Sequence, residues 1–257
     1  MKWLPTLLQT SDALFPTGAY AHSLGFEEFA RLAGVRDEAG LREFVELHLL
    51  PALRDLELPY LRFAFEAADN FAALCEIDRE ISAWKLARET QEASIAIGRR
   101  RLAALRAVGD LPRYAAFATA ITSGKPPRRQ DAVEEDSVSD ARASASLATW
   151  RLGGEPSAHG HHLTVCAVQA VGEGFPLEAA LGAWFYQSVA GACSAALKII
   201  RIGQDGCQRV LRAALAKADE TITASLDVQR DDAGAFDPLL EIAAMRHESS
   251  DERLFIS

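Results

Sequence analysis

Apolar residues recur at three- and four-residue steps along most of this chain, and that spacing constrains its fold more than any other feature. Leu177, Leu181, Trp184, Phe185, Val189, Cys193, Leu197 and Ile200 form the clearest stripe. Val210, Leu211, Leu215, Ala218, Ile222 and Leu226 form a second. Each fits one buried helical face. Alanine, leucine, glutamate and arginine dominate and β-branched residues are sparse, which favours helix over strand throughout.

Proline and glycine divide the helices. Pro16 and Gly18 break the opening segment, and Gly34 ends a helix that starts near His22. Glu38 to Arg54 reads as a helix with Pro51 kinking its last turn. Leu56 to Ala68 reads as the next, with Pro59 in its first turn. Asp78 to Val108 reads as one long run bending near Gly98. Pro112 suits the first position of a further helix, and Pro176 and Pro238 mark two more starts. His162 to Val171 is ambiguous, because Thr164, Val165, Val168 and Val171 also suit a strand. The segment 124–146 carries Pro126-Pro127, Arg128-Arg129 and Glu134-Glu135-Asp136 but few large apolar residues. Its first half is expected to be a mobile loop, since it buries too little to offset ordering entropy. A short helix is expected near Ser139 to Arg151. The sum is an all-α, single-domain bundle of about ten helices over residues 1–257.

The formal net charge of −9 argues against a nucleic-acid binder, which wants a basic face. Cys75, Cys166, Cys193 and Cys207 form no C-x-x-C pair and are expected to be free, buried thiols. No stretch approaches the roughly 20 apolar residues of a membrane span, and the N-terminus lacks a signal-peptide pattern, so a cytoplasmic location is expected.

Catalytic constellations are missing from the motifs. There is no phosphate loop, dinucleotide fingerprint, H-E-x-x-H or G-x-S-x-G. Asp231, Asp232 and Asp237 do not share a helix face, and a surface turn is the better account of them. His159, His161 and His162 are the weak metal candidates, because imidazole suits nickel, copper or zinc. The plainer account is a helix start with solvated histidines. Arg99, Arg100, Arg101 and Arg106 read as a solvated helix face rather than one docking patch, because consecutive residues diverge on a helix. The Pro/Gly turn around Tyr20 and the apolar chain end Leu254-Phe255-Ile256 sit oddly on a simple monomeric bundle. The end can plug a partner's pocket or fold back on its own core, and the residues alone favour neither.

Four segments in order carry a resemblance. They are Leu7-Leu8-Gln9 with Pro16-Thr17-Gly18-Ala19-Tyr20 and Ser23-Leu24-Gly25-Phe26-Glu27; Arg88 to Ser94 with Gly98-Arg99; Ser194 to Lys198 with Ile202-Gly203-Gln204 and Gly206 to Arg209; and Pro238 to Ala243 through Met245-Arg246-His247-Glu248 to Arg253-Leu254-Phe255-Ile256-Ser257. Together they resemble the UreF family of urease accessory proteins. Ile256 stands where that family usually has arginine, and Asp251 where an aromatic is frequent.

The resemblance implies a non-catalytic, all-α chaperone subunit, usually a homodimer. It implies assembly with a UreD/UreH scaffold and the GTPase UreG to insert nickel into apo-urease. GTP would be bound by the GTPase and nickel handled by the complex, with no cofactor held stably here. Modulation of the GTPase stays open. On this basis the expected partner-binding residues are Tyr20, Ser23, Glu27, Arg88, Thr90, Ser94, Lys198, Gln204, Arg253, Leu254 and Phe255, with the tail 249–257 as a contact element. The competing readings are a direct nickel carrier using the histidine loop and a helical enzyme with an unrecognised site.

Overall fold

A computed structural model describes residues 1–23, 25–109, 117, 119, 121, 158–250 and 253–256. Ten helices can be given bounds among them, and no strand occurs among the described residues. They are α1 (Leu4–Ser11), α2 (Phe26–Ala33), α3 (residues 38–66), α4 (Phe71–Trp84), α5 (Arg88–Val108), α6 (His162–Gly172), α7 (Leu177–Ile199), α8 (Gln204–Leu215), α9 (Ala218–Asp227) and α10 (Pro238–His247). The fold is therefore all-α, as the periodicity requires. The segment 124–146, the short helix expected near 139–151 and most of the helix expected after Pro112 lie outside the described residues; residues 117, 119 and 121 are helical.

Several boundaries differ from expectation: α2 starts at Phe26 rather than near His22, α4 starts at Phe71 rather than at Asp78, and two further differences have a clear physical reason. Pro51 and Pro59 do not divide residues 38–66. Each proline stands one residue past a π-helical segment, Val45–Leu49 and Leu53–Glu57. These are closed by Leu50 N–H to Val45 O and Leu58 N–H to Leu53 O. The wider turn accommodates the ring and the lost N–H that would break an α-helical ladder.

The run from Asp78 to Val108 breaks at Lys85–Ala87, although no proline or glycine stands there. The side chain of Gln91 reaches back to donate to Ser82 O at 2.9 Å, and Trp84 Nε1 donates to Tyr60 Oη at 2.9 Å. These tertiary bonds override the local helix preference. Gly98 lies inside α5 and serves a close crossing: a Cβ there would stand 2.1 Å from Gly160 O. The second apolar stripe is likewise shared by two helices, α8 and α9, with a break at Ala216–Lys217.

The ambiguous run from His162 is helix. As α6 it lies at the centre, packed on the last turns of α3 and on α5. Its buried face is Leu163, Val165, Ala167, Val168 and Ala170. α7 buries Leu181, Phe185, Val189 and Cys193, as its stripe requires, and packs on α8. Leu197, assigned to the same stripe, is exposed. α10 starts at Pro238, capped by the Asp237 carboxylate, and lies on α2. The four thiols are free, and burial pushes those of Cys75 and Cys193 up to about 12, which makes them inert.

The acidic segment after Arg230 is more than a surface turn. Ala233 is buried, and a Cβ on Gly234 would stand 2.5 Å from the Trp84 ring. Asp237 also pairs with His48.

Candidate functional site

Two polar centres organise the molecule. The first is Asp78, a fully buried carboxylate on α4. Its Oδ2 accepts from His159 N at 2.6 Å and Gly160 N at 3.0 Å. Its Oδ1 accepts from His161 N at 3.0 Å and Thr164 Oγ1 at 2.6 Å. Another helix thus anchors the three residues that lead into α6 and Thr164 in its first turn, close to the end where the helix dipole favours a negative charge.

This geometry fixes the histidine loop and corrects the expectation of solvated side chains. His161 is buried, with Nε2 2.7 Å from Ser82 Oγ and Nδ1 3.0 Å from Ser94 Oγ. Burial is the chief cause that depresses its pKa to about 4, and burial holds His162 well below the usual imidazole range. His162 faces Trp184, with Nε2 3.5 Å from Arg101 Nη1. His159 alone is exposed. The three rings therefore do not converge, and no group of three metal-binding side chains occurs among the described residues.

The second centre is Glu27, near the start of α2. Gly25 enters that helix at φ 91° and Ser23 Oγ accepts from Glu27 N at 3.4 Å. The buried Glu27 carboxylate accepts from Leu254 N at 2.9 Å and Phe255 N at 3.1 Å. His247 stands between two carboxylates, with Nε2 3.1 Å from Glu27 Oε2 and Nδ1 2.9 Å from Glu89 Oε2. Arg253 Nη1 lies 3.3 Å from Glu89 Oε1. Ile256 N donates to Ala21 O at 2.9 Å, which joins the tail to the short 3₁₀ turn Ala19–Ala21. Gly18 opens that turn at φ 75°, beside Arg100.

The tail accordingly folds back. Phe255 is only 6% exposed, with Lys198 Nζ 4.9 Å from its ring centroid. Its neighbours point outward: Leu254 is 68% exposed, Ile256 59% and Tyr20 68%.

Of the residues singled out in the sequence, Tyr20, Ser23, Glu27, Lys198, Arg253, Leu254 and Phe255 meet in this one region. Arg88 lies at its edge, paired with Glu248 and Glu92. Thr90 Oγ1 donates to Ala87 O at 2.8 Å and so shapes the start of α5. Ser94 belongs to the His161 site, and Gln204 is exposed at the start of α8.

The arginine run also needs correction, because Arg101 is buried. It lines a cavity of about 770 Å³ between the N-terminal segment and α7, whose walls also include Tyr20 and Phe255. A second cavity of about 260 Å³ shares Ala19, His22, His162, Gln187 and Gly191 with the first. The burial of Asp78 and Arg101 was not legible in the sequence. A lone aspartate inside a helix and one arginine among three carry no local mark of burial.

Fold and site together define a class: an all-helical domain whose buried polar groups hold a helix start and the chain's own C-terminus against an apolar-rimmed cavity. Comparison with known proteins gives the particular family. The chain matches UreF over residues 35–215. It is 33% identical over 256 residues to urease accessory protein UreF of Paenarthrobacter aurescens (strain TC1), covering 98% of this chain and 96% of that one. It is 30% identical over 256 residues to urease accessory protein UreF of Haemophilus influenzae (strain PittEE), covering 99% and 95%. It is 26% identical over 259 residues to urease accessory protein UreF of Bacillus sp. (strain TB-90), with both chains covered in full. The chain belongs to the UreF family of urease accessory proteins.

Proposed function

We propose that this chain is a non-catalytic subunit of the urease maturation machinery. It assembles with the UreD/UreH scaffold and the GTPase UreG, as a homodimer, to insert nickel into apo-urease in the cytoplasm. GTP is hydrolysed by the partner, and nickel is cargo of the assembly rather than a cofactor of this chain.

The observation that carries the reading is the docked tail. One buried carboxylate, Glu27, is committed to two tail amides. The result is a fixed display of Leu254, Ile256 and Tyr20 to solvent. Exposed apolar side chains gathered beside a concave surface mark a contact site. The arginine and aromatic residues there suit an interface hot spot. No helix among the described residues is long and apolar enough to cross a membrane.

The test is removal of residues 253–257. The truncated chain keeps its helical circular dichroism but no longer co-purifies with the scaffold and the GTPase on co-expression and sizing. A complex that survives truncation unchanged removes the tail from the interface. Equilibrium dialysis with Ni²⁺ separates this reading from a direct carrier, which would bind several ions tightly on the isolated chain.

A further inference from the structure

Arg101 presents a chemical problem that family membership does not resolve. It is 4% exposed, and no carboxylate among the described residues pairs with it. Its Nε donates to Gln169 Oε1 at 2.8 Å, and Gln169 is held in turn by donating to Thr10 Oγ1 at 2.9 Å. Nη1 has only the long approach to His162 Nε2 at 3.5 Å, and the guanidinium carbon lies 5.6 Å from the Phe15 ring centroid. A guanidinium offers five donors in a planar fork matched to a carboxylate. A buried cation left unpaired is unfavourable, and such groups are otherwise matched by an anion.

The cavity that Arg101 lines suits a polypeptide rather than a small ion. Its α7 wall is built from small residues, among them Gly182, Ala183, Ala190 and Gly191. A Cβ added to Gly182 or Gly191 would meet nothing within 4 Å, so another backbone can approach closely. The rim is apolar: Leu8 is 63% exposed and Tyr186 43%. Tyr20 and Phe255 make it continuous with the tail face. Asp12 is the carboxylate on the lining, but it is exposed and its Oδ1 is taken by Leu14 N at 2.7 Å.

We infer that Arg101 is the receptor for a carboxylate side chain of a partner protein. The partner segment carries one aspartate or glutamate among small and apolar residues and lies along α7, with its carboxylate on the open edge of the guanidinium. This inference rests on the docking reading above and gives it a chemistry.

The test has two arms and three variants of the full chain: Arg101→Met, Arg101→Lys and Gly191→Leu. The last leaves Arg101 in place and blocks the cavity where a side chain has room, so it serves even if Arg101→Met folds poorly. In the first arm the isolated chain is titrated with sodium butyrate and with butyramide and followed by melting temperature. The wild type responds to the acid and not to the amide, and Arg101→Met and Gly191→Leu lose that selectivity. Equal responses of the wild type to acid and amide overturn the inference.

In the second arm the chain is co-expressed with its urease accessory partners. Arg101→Met and Gly191→Leu each weaken assembly about tenfold or more, as expected for losing one side of a buried charge pair. Arg101→Lys retains part of the affinity, and excess butyrate weakens wild-type assembly. Folded Arg101→Met that assembles like the wild type overturns the inference while leaving the docking reading intact. If that variant nonetheless loses selectivity for butyrate, the site takes a free acid and not a partner's side chain. A wild-type chain that assembles with no partner overturns both.

Discussion

A single carboxylate holds the approach to α6. Asp78 accepts four hydrogen bonds, three of them from backbone amides. Asp78→Ala leaves those donors buried and unpaired, and the expected loss is about 3–5 kcal/mol by denaturant titration. Asp78→Asn keeps the shape but turns an N–H₂ toward donors, so it also destabilises, by about 2 kcal/mol or more. Gly98 is constrained just as tightly. Alanine there improves helix propensity by about 1 kcal/mol. The 2.1 Å overlap with Gly160 O costs more, because backbone must move. Gly98→Ala therefore lowers stability, by about 1–3 kcal/mol net.

His161 gives stability a pH dependence of definite sign. Its folded pKa of about 4 lies below the 6.5 of the free side chain. Between these values the unfolded chain binds the proton and the native chain does not. This contribution is therefore complete above pH 6.5 and is lost progressively as pH falls toward 4. The depressed His162 acts in the same direction. The melting temperature should fall from pH 7 to pH 5, and His161→Asn should flatten that fall. An unchanged slope would remove His161 as its cause.

Among the elements, the tail behaves as a clamped strap rather than a free end. Glu27 holds two tail amides and His247, while Glu89 holds His247 and Arg253. Glu27→Ala should release residues 253–257, seen as faster carboxypeptidase trimming and faster amide exchange there, with the helices still protected. Slow trimming in that variant would show that Phe255 packing alone suffices. The helix over residues 38–66 makes a different point. Two prolines sit inside it without breaking it, because each follows a π-helical turn.

At the scale of the whole molecule, stability and the open cavity are opposed. Gly182 and Gly191 stand in the middle of α7, where glycine costs about 0.5–1 kcal/mol relative to alanine. No side chain fills the space beside them. Gly182→Ala and Gly191→Ala should each raise stability of the isolated chain by about that amount. If neither variant is more stable, the glycines are required by the fold and not by what enters the cavity.

The chain by itself determined the helical class, the buried stripe of α7, the starts at Pro176 and Pro238 and the break at Pro16 and Gly18. These follow from side-chain periodicity and backbone sterics, which act over a few residues. Its motifs also marked most of the tail region, including Glu27, Arg253 and Phe255. Tertiary structure decided the rest: the break before Arg88, the continuity through Pro51 and Pro59, the burial of Arg101 and the inward turn of His161. It also decided that Phe255 is covered by its own chain while Leu254 faces out. Each of these depends on a partner far along the chain, as Asp78 depends on amides 81 to 83 residues away. Local pattern carries no record of which distant donor will meet which acceptor, so only the packed fold can pair them.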